Sequence, residues 1–313
     1  MGGSLYRLFF VGLSSWVSPW MNSEAASRCP TQSPASTDMI SSSNLALRGG
    51  DDGGILKPSA LDNIRDKLRP HVDEKGCMHH VIEEALGARE RGASDEPGPA
   101  LVLVNYKLPR ELLKTIWKRA SIKICADGAL NRLYYAFETD EERELYIPDY
   151  VRGDLDSVEG DIRNYYIAKG TQVVKYIDED TTDLEKCLDL LKSLKLSFSQ
   201  VIVMGAFGGR IDHEFSHYSV LYKYPETNIV LVSPKRAAML LRAGSHAIHT
   251  NLLGPNCGLI PLGTPVRRVQ TEGLKWDLHG QEMGMDGLIS TSNRIKKEEV
   301  HVSCSDALLW VCD

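Results

Sequence analysis

The chain has 313 residues, of which 42% are hydrophobic and 25% are charged, a composition typical of a globular protein with a sizeable core. Its formal net charge of -6 and the lack of a basic run argue against a nucleic-acid-binding protein, whose phosphate contacts need a basic face. No apolar stretch is long enough to span a bilayer, so a membrane partner is not expected either.

The seven cysteines are scattered and form no Cys-x-x-Cys pair. This pattern predicts reduced thiols and a cytoplasmic location rather than a disulfide framework. Cys77 precedes His79 and His80, but no second ligand pair lies at a zinc-like spacing, so a surface loop is the favoured interpretation. Residues 1–50 are rich in Ser and poor in acidic residues, which leaves an organellar transit peptide open beside an untargeted extension.

Residues 1–97 show no sustained hydrophobic periodicity and are predicted to form a poorly ordered extension that takes no part in the chemistry. From Ala100, apolar runs alternate with amphipathic segments. The predicted strands are 100–104, 122–126, 146–151, 172–176, 200–204 and 228–232, and the predicted helices are 109–120, 129–137, 158–169, 182–194 and 211–223. This alternation predicts an α/β nucleotide-binding domain over 98–233, with a largely parallel sheet covered by helices on both faces.

After Ser233 the helical signals fade, and short apolar runs alternate with Gly, Pro and Asn turns. The predicted strands there are 237–241, 246–250, 259–261, 287–291 and 300–304. We therefore expect a smaller all-β domain of the sandwich type over 234–313.

Acidic or glycine-rich loops follow several predicted strands, at Asp127, 153–157, 178–183 and 205–212. Because the carboxyl ends of parallel strands share one edge of a sheet, these loops are expected to surround one cleft. Crowded carboxylates repel one another, and a hard cation prefers their oxygens as ligands. The pattern predicts a Mg²⁺–nucleotide site for phosphoryl-type transfer. A surface turn explains any one loop equally well, but not all of them together.

Two further stretches have open interpretations. The segment from Gly205 to Arg210 joins a strand to a helix, where backbone N–H groups and a guanidinium can hold phosphate. It matches neither a Walker A loop nor Gly-x-Gly-x-x-Gly, and a tight turn would explain it too. Trp276 stands among charged residues and either packs against the core or stacks on a cationic aromatic ligand.

Taken in order, these motifs resemble the thiamine pyrophosphokinases, most closely the plant-type enzymes. The resemblance covers residues 100–310 and rests on Cys125-Ala-Asp-Gly128, Gly153-Asp-Leu-Asp-Ser157, Asp180-Thr-Thr-Asp183, Gly208-Gly-Arg-Ile-Asp212, Gly273-Leu-Lys-Trp276 and Gly287-Leu-Ile-Ser-Thr-Ser-Asn293. It implies an α/β domain followed by a β-sandwich. It also implies transfer of an intact pyrophosphoryl group from ATP to the hydroxyl of thiamine, with Mg²⁺ bridging the phosphates, to give thiamine diphosphate and AMP.

The resemblance implies roles for particular residues, and a homodimer whose active sites lie at the subunit interface. Catalysis would fall to Asp154, Asp156, Asp183 and Asp212, the first three of which would hold the metal. ATP would contact Asp127, Gly128, Arg132, Thr182, Gly209 and Arg210, and thiamine would contact Trp276, Ser290, Ser292 and Asn293.

The sequence departs from the family pattern at Ala129, where a second glycine is usual, and at Glu179, where glutamine is common. It also ends at Asp313, before the usual final strand. A catalytically weakened thiamine- or nucleotide-binding homologue is therefore one alternative. An Asp-x-Asp metal-dependent nucleotide-sugar transferase is another, although it would not need Trp276 or the Ser290–Asn293 motif.

Overall fold

The computed structural model of the chain describes residues 71–81, 97–249 and 255–313. Its α-helices in these ranges are α1 (Arg110–Trp117), α2 (Ala129–Tyr135), α3 (Asp140–Arg143), α4 (Gly160–Ala168), α5 (Asp183–Ser193) and α6 (Ile211–Lys223). Within the same ranges, no helix has the length and apolar character needed to cross a membrane.

The strands fall on either side of residue 233. The first group is β1 (His71–Val72), β2 (Cys77–Val81), β3 (Ala100–Leu103), β4 (Ile122–Ala126), β5 (Tyr150–Gly153), β6 (Gln172–Lys175), β7 (Val201–Met204) and β8 (Ile229–Val232). The second group is β9 (Ala237–Leu241), β10 (Gly244–His249), β11 (Asn256–Ile260), β12 (Val266–Glu272), β13 (His279–Met283), β14 (Ser290–Arg294), β15 (Glu299–Cys304) and β16 (Leu308–Cys312).

A ten-stranded sheet has the order β14-β11-β16-β9-β8-β7-β3-β4-β5-β6. The strands from β8 to β6 pair in parallel, and β3 lies between β7 and β4. The chain runs from β3 outward through β4, β5 and β6, and then returns to β7 and β8 on the other side. The strand order thus reverses beside β3, which is where sheets of this kind bind ligands, outside the carboxyl ends of the strands.

The central strands of this sheet are buried on both faces. In β3, Leu101 and Leu103 pack into one core, while Ala100 and Val102 pack into the other. Successive side chains of a strand point to opposite faces, so a continuous apolar run requires cover on both sides. Helix α1 contributes to the first core and helix α5 to the second.

Helix α5 begins where the sequence predicts. The Thr182 side chain accepts a hydrogen bond from the Glu185 N–H (3.3 Å), and the Glu185 carboxylate accepts one from the Thr182 N–H (3.0 Å). This capping box satisfies two amides that the helix itself cannot pair. It fixes Asp183 as the first residue of the helix, where the helix dipole favours a carboxylate.

The β-rich part of the chain contributes to two sheets. Strands β9, β16, β11 and β14 extend the ten-stranded sheet by antiparallel pairing. The others belong to a six-stranded sheet of order β1-β2-β10-β15-β12-β13. The fold thus combines helices and mixed sheets in an α/β part followed by a β-rich part. Because β8 pairs directly with β9, the domain division near residue 233 stays a prediction.

The segment around Cys77 is not a surface loop, so that interpretation is wrong. It forms β2, which pairs in parallel with β10 and buries Met78 and His80. His80 Nε2 lies 2.9 Å from His246 Nδ1, and this hydrogen bond lets a polar ring lie in the interior. The ordered segment of the predicted extension therefore pairs with β10, a strand distant in sequence. The rest of the predicted extension, residues 1–70 and 82–96, lies outside the described ranges.

After residue 233, three of the described strands have no counterpart in the sequence prediction: β12, β13 and β16. In β12 only Val266, Val269 and Thr271 are buried, and polar exposed residues separate them, so the apolar signal is weak. The strand expected over 287–291 lies instead at Ser290–Arg294. There the buried Asn293 and its exposed neighbours give no hydrophobic alternation.

Candidate active site

Three carboxylates meet at the carboxyl ends of two neighbouring strands. Asp127 follows β4, and Asp154 and Asp156 follow β5. One ligand oxygen from each of the three lies within 4.8 Å of the others. Asp127 is buried, Asp154 is half-buried and Asp156 is exposed, so the carboxylate cluster runs from the interior to the surface.

The backbone around the carboxylate cluster adopts unusual conformations. Asp127 and Leu155 have positive φ angles of 44° and 66°, a region that residues other than glycine seldom occupy. Gly153 is needed for a different reason, because a Cβ there would lie 2.7 Å from the Cβ of Asp127. The glycine lets the end of β5 come close to the end of β4, which brings the three carboxylates together.

The loop that carries Asp154 and Asp156 is held by hydrogen bonds at both ends. The Asp156 N–H donates to Asp154 Oδ1 (3.2 Å), and Ser157 Oγ donates to Asp156 Oδ1 (2.9 Å). Asn131, on α2, donates from Nδ2 to the Ser157 carbonyl (2.8 Å) and accepts from the Glu159 N–H (3.1 Å). The sequence prediction gives Asn131 no role at the site, although its place four residues after Asp127 was a usable signal.

Asp183 joins the same electrostatic environment from the start of α5. Burial raises the pKa of the Asp183 carboxyl, and Asp154 and Asp156 raise it further, while Lys186 opposes them. Lys186 Nζ lies 3.3 Å from Asp183 Oδ1, and its side chain is only 4% exposed. Lys186 is a second residue to which the prediction gives no role at the site, although its spacing of three residues from Asp183 places both on one helix face.

Asp127 has the strongest need for a cation. Burial is the main cause that raises the pKa of its carboxyl, and hydrogen bonds from the Gly128 N–H and Ser157 only partly offset it. Its Oδ1 is buried and has no hydrogen-bond partner among the described residues. An unpaired buried oxygen is costly, and a divalent cation would satisfy it. Carboxylates are the donors that hard cations prefer, so the carboxylate cluster fits a divalent metal ion of that type.

A cavity of ≈ 580 Å³ opens beside β3, at the point where the strand order reverses. One wall is formed by Asp127, Ser157, Thr182 and Asp183, and the opposite wall by the loop and helix that follow β7. The Thr182 hydroxyl is already engaged, because it donates to Glu185 Oε2 at 2.9 Å. Thr182 therefore shapes the start of α5 rather than offering a free donor.

The glycine-rich loop after β7 forms part of the second wall. Gly208 and Gly209 have positive φ angles of 86° and 80°. A Cβ would lie 3.1 Å from the Tyr106 ring at Gly208 and 2.8 Å from it at Gly209. The Gly208 N–H donates to Glu214 Oε2 at 2.8 Å, so in this conformation the amide expected to hold phosphate binds a carboxylate instead. Glu214 is a third residue that the sequence prediction omits.

Arg210 and Asp212 form an exposed pair at the rim of this loop. Arg210 Nε lies 3.1 Å from Asp212 Oδ1, and the guanidinium lowers the pKa of Asp212 to about 2. Arg210 lines the ≈ 580 Å³ cavity. Asp212 is not among the three residues of the carboxylate cluster.

Gly128 and Arg132 both lie beside Asn105, a residue that lines the ≈ 580 Å³ cavity. Arg132 Nε donates to Asn105 Oδ1 at 3.0 Å, and a Cβ on Gly128 would lie 2.4 Å from Asn105 Nδ2. Ala129 is the first residue of α2, is buried in the core and has no positive φ angle. The backbone therefore does not require a second glycine at this position. Glu179 is exposed.

The residues expected to contact thiamine divide into two groups. Ser290 and Ser292 line a second cavity, of ≈ 500 Å³, together with Phe207. Asn293 is buried and committed to the backbone of Trp276, accepting from its N–H (3.2 Å) and donating to its carbonyl (2.8 Å). Trp276 is 54% exposed and lines neither of these two cavities among the described residues. Asn293 thus positions the Trp276 backbone.

Comparison with known proteins gives matches to two consecutive domain families. Residues 113–232 match the catalytic domain of thiamin pyrophosphokinase, and residues 245–309 match its vitamin B1 binding domain. Thiamine pyrophosphokinase 1 of Arabidopsis thaliana is 43% identical over 226 residues, which cover 67% of this chain and 84% of the relative. Thiamine pyrophosphokinase 1 of rice, Oryza sativa, is 38% identical over 226 residues, covering 67% and 85%.

Solved structures share the fold. The crystal structure of yeast thiamin pyrophosphokinase aligns with a TM-score of 0.65 at 24% identity, covering 78% of this chain and 94% of that one. Thiamin pyrophosphokinase from Candida albicans aligns with the same TM-score of 0.65 at 25% identity, covering 79% and 95%. The resemblance seen in the motifs is thereby confirmed, and the chain belongs to the thiamine pyrophosphokinase family.

Proposed function

We propose that the chain transfers the pyrophosphoryl group of ATP to the hydroxyl of thiamine, giving thiamine diphosphate and AMP. Family membership makes it an ATP-dependent thiamine diphosphokinase, and neither a nucleotide-sugar transferase nor a binding protein without activity is favoured. The observation that carries the proposal is the carboxylate cluster, in which Asp127, Asp154 and Asp156 lie within 4.8 Å of one another. It lies at the strand ends beside the ≈ 580 Å³ cavity.

The proposed metal ion is Mg²⁺, held by Asp154, Asp156 and Asp183, with the unpaired Oδ1 of Asp127 beside it. When bound, the ion would neutralise the negative charge of the phosphate groups. The contact between Lys186 Nζ and Asp183 Oδ1, at 3.3 Å, supports a fixed orientation for the Asp183 carboxylate. The hydrogen bonds of Asn131 support a fixed position for the loop of Asp154 and Asp156.

The triphosphate of ATP is proposed to lie in the ≈ 580 Å³ cavity, between the start of α5 and the glycine-rich loop. Gly128, Arg132 and Gly209 would border the nucleotide. Arg210 is exposed and could exchange Asp212 for a phosphate oxygen, since a guanidinium binds both groups by charged hydrogen bonds. In this arrangement Asp212 acts by holding Arg210 until the nucleotide arrives.

Thiamine is proposed to bind in the ≈ 500 Å³ cavity lined by Ser290 and Ser292. Its hydroxyl oxygen would attack the β-phosphorus, and the bond between that phosphorus and the bridging oxygen of AMP would break. Phe207 lines this cavity and Gly205 lines the cavity proposed for ATP, so one loop borders both. Residues 98–233 would thus supply the ATP and metal site, and residues 234–313 the thiamine site.

The proposed assembly is a homodimer in which Trp276 serves the partner's active site. In a single chain its indole is exposed and lines neither cavity, which leaves one face available for a cationic ring. A cytoplasmic location remains our proposal. It is supported by the six described cysteines, all of which are free thiols.

The reaction is tested by incubating the full chain with ATP, Mg²⁺ and thiamine and measuring AMP and thiamine diphosphate by chromatography. The two products are expected in equal amounts, and a reaction without thiamine is the control. AMP that does not exceed this control would refute the proposed reaction.

The shared site is tested by mixing two inactive variants, Trp276→Ala and Asp154→Asn, under conditions that allow subunits to exchange. A mixed dimer would contain one site with both residues intact, so roughly a quarter of the wild-type activity is expected to return. Each variant alone is the control. Mixtures that stay as inactive as their components would show that Trp276 does not act across the interface.

A further inference from the structure

A second group of metal-ligating side chains lies on the six-stranded sheet, outside the site described above. We call it the histidine–cysteine face, and it consists of Asp73, Cys77, His79, His249, Glu299 and His301. Its residues come from three adjacent strands, β2, β10 and β15, and from the turn before β2. Neither domain match covers Asp73, Cys77 or His79, so this segment takes no part in the family motifs.

The strand register explains why these side chains share one face. His79 is paired with Ala247, Ala247 with His301, and His249 with Glu299. Because side chains of a strand alternate between faces and paired residues share a face, these residues and Cys77 point to the same side. The small side chain of Ala247 separates His79 from His301 in this row. The alternate residues of β2 and β10, such as His80 and Ile248, are buried on the other side.

The distances define two overlapping groups of ligands. The ligand atoms of Asp73, Cys77 and His79 lie within 4.8 Å of one another, and those of His79, His249 and Glu299 do the same. The rings of His79 and His249 stack with their centroids 5.9 Å apart. Donor atoms of a tetrahedral zinc site lie roughly 3.3–3.8 Å apart, given bond lengths of about 2.0–2.3 Å. Side-chain rotations that move the ligand atoms of either group by about 1 Å would therefore bring them to zinc-binding distances.

Several of these groups are already oriented toward the same space. Asp73 Oδ1 accepts hydrogen bonds from the Lys75 and Cys77 N–H groups, both at 2.9 Å, which leaves Oδ2 directed at His79 Nε2 at 3.4 Å. Glu299 lies between two rings, with Oε2 at 3.2 Å from His249 Nε2 and Oε1 at 2.9 Å from His301 Nε2. Such contacts fix ligand orientation in metal sites.

We infer that the histidine–cysteine face binds a zinc-type divalent transition-metal ion through Asp73, Cys77, His79 and His249, with Glu299 orienting the His249 ring. A thiolate, imidazoles and carboxylates are the ligands that zinc prefers, whereas Mg²⁺ prefers oxygen alone. One thiolate and one carboxylate from the first group balance the charge of a divalent ion. Surface ion pairing would explain the His–Glu contacts, but not a cysteine and an oriented aspartate beside them.

Binding at this face would be structural. The ion would join Asp73 and Cys77, in the segment before the catalytic part, to His249 on β10, which Glu299 on β15 contacts. Structural zinc sites contribute directly to folding free energy, so the ion would stabilise the β2–β10 pair.

The test uses the full chain, freed of metal with a chelator and kept in excess Mg²⁺ so that the carboxylate cluster is occupied. It is titrated with Co²⁺ and then with Zn²⁺. About one equivalent of Co²⁺ is expected to give a thiolate-to-metal charge-transfer band and the strong visible absorption of a tetrahedral site, and Zn²⁺ is expected to abolish both. Zn²⁺ is also expected to raise the Tm of the wild-type protein.

Variants assign the signal to this face. Cys77→Ser is expected to remove the charge-transfer band, and His79→Gln to weaken Zn²⁺ binding by about 10-fold or more. Two controls should bind as the wild type does: Ser303→Ala, exposed on the same strand as Glu299, and Cys304→Ala, which removes a buried thiol. Thiamine diphosphate formation in Mg²⁺ should be unchanged in Cys77→Ser. A weak octahedral Co²⁺ spectrum in the wild-type protein, or a charge-transfer band that survives Cys77→Ser, would overturn the inference.

Discussion

The carboxylate cluster and the histidine–cysteine face are built from different side chains on different sheets. The first brings together only carboxylates, at the ends of the parallel strands β4 and β5. The second combines nitrogen, sulfur and oxygen donors from β2, β10 and β15. Hard ions take oxygen ligands, whereas borderline ions take imidazole and thiolate, so one chain offers two sites that differ in metal preference.

The two regions also differ in how the chain assembles them. The residues of the carboxylate cluster each follow a strand directly, and parallel strands place those ends at one edge whatever the loops contain. The histidine–cysteine face depends instead on the register of three strands that are distant in sequence. A catalytic site is therefore visible in short motifs, whereas the second site becomes visible only once the strands are paired.

The largest effect is expected from removing one carboxylate of the cluster. Asp154→Asn should lower kcat by on the order of 10³-fold, because the metal loses a charged ligand where phosphate charge must be neutralised. Asp161→Asn, an exposed change in the first turn of α4, is the matched control and should keep full activity. The Co²⁺ band of the histidine–cysteine face should persist in Asp154→Asn. Steady-state kinetics measures the activity, and absorption spectra measure the Co²⁺ band. Loss of both the activity and the band in Asp154→Asn would mean that the two metal sites are not independent.

A pair of glycine substitutions tests the packing of the catalytic edge. Gly128→Ala places a Cβ 2.4 Å from Asn105 Nδ2 and 3.2 Å from the Cβ of Ser157, so we expect a loss of about 1–3 kcal/mol in unfolding free energy and a higher KM for ATP. Gly160→Ala meets nothing within 4 Å and should be neutral or stabilising by up to about 1 kcal/mol. Urea unfolding measures both. Equal stability of the two variants would contradict the close approach at Gly128.

Asn131 distinguishes positioning from direct contact. Asn131→Ala removes the hydrogen bonds to the Ser157 carbonyl and the Glu159 N–H, at 2.8 Å and 3.1 Å. We expect roughly a 10-fold higher Mg²⁺ requirement with kcat nearly restored at saturating Mg²⁺, since a hydrogen bond contributes about 1 kcal/mol. Asn131→Asp keeps the acceptor for the Glu159 N–H but turns a second acceptor toward the Ser157 carbonyl, so its effect is expected to be at least as large. A kcat that stays low in saturating Mg²⁺ would show that Asn131 acts in the reaction itself.

The smallest effect is expected in the stability of the metal-free protein. Burial raises the pKa of Asp127 in the folded state, so its ionised form destabilises the fold above that pKa, and the penalty fades as the pH falls toward the unfolded value of about 3.9. At pH 7 without metal, Asp127→Asn should therefore raise Tm. Mg²⁺ should raise the Tm of the wild-type protein more than that of the variant.

Asp178 is the matched contrast for this prediction. Hydrogen bonds from the Thr181 hydroxyl and the Asp180 N–H lower the pKa of Asp178. Its ionised form therefore stabilises the fold above the unfolded value, and this contribution is lost as the pH falls through the lowered pKa. Asp178→Asn should lower Tm at pH 7. Calorimetry at pH 7 measures both Tm values. If Asp127→Asn and Asp178→Asn shifted Tm in the same direction, the opposite pKa shifts of the two carboxyls would be contradicted.

Local signals predicted most of the α/β part. The Thr182–Glu185 capping box identified the start of α5, and the apolar run from Ala100 identified a strand buried on both faces. Two of the residues missed at the site, Asn131 and Glu214, act through backbone groups of a neighbouring loop that the fold brings to them. Asn131 holds the backbone of a loop on another element, and Glu214 reaches back to the Gly208 N–H.

The β-rich part was harder to predict because its strands are half exposed. Strand β12 buries only every few residues, and β2 buries His80, whose residue type does not by itself predict burial. The partner that makes this burial possible is His246, 166 residues further along the chain. Among the residues proposed to bind thiamine, Asn293 was assigned to the ligand from its motif, whereas the structure pairs it with the Trp276 backbone.

The most direct test of the central claim follows the β-phosphorus of ATP. ATP labelled at that position would be incubated with the full chain, Mg²⁺ and thiamine, and the labelled products separated. Transfer of an intact pyrophosphoryl group predicts that the label moves to thiamine diphosphate, that AMP is unlabelled and that no labelled ADP accumulates. Label retained in ADP, with thiamine monophosphate as the product, would contradict the account.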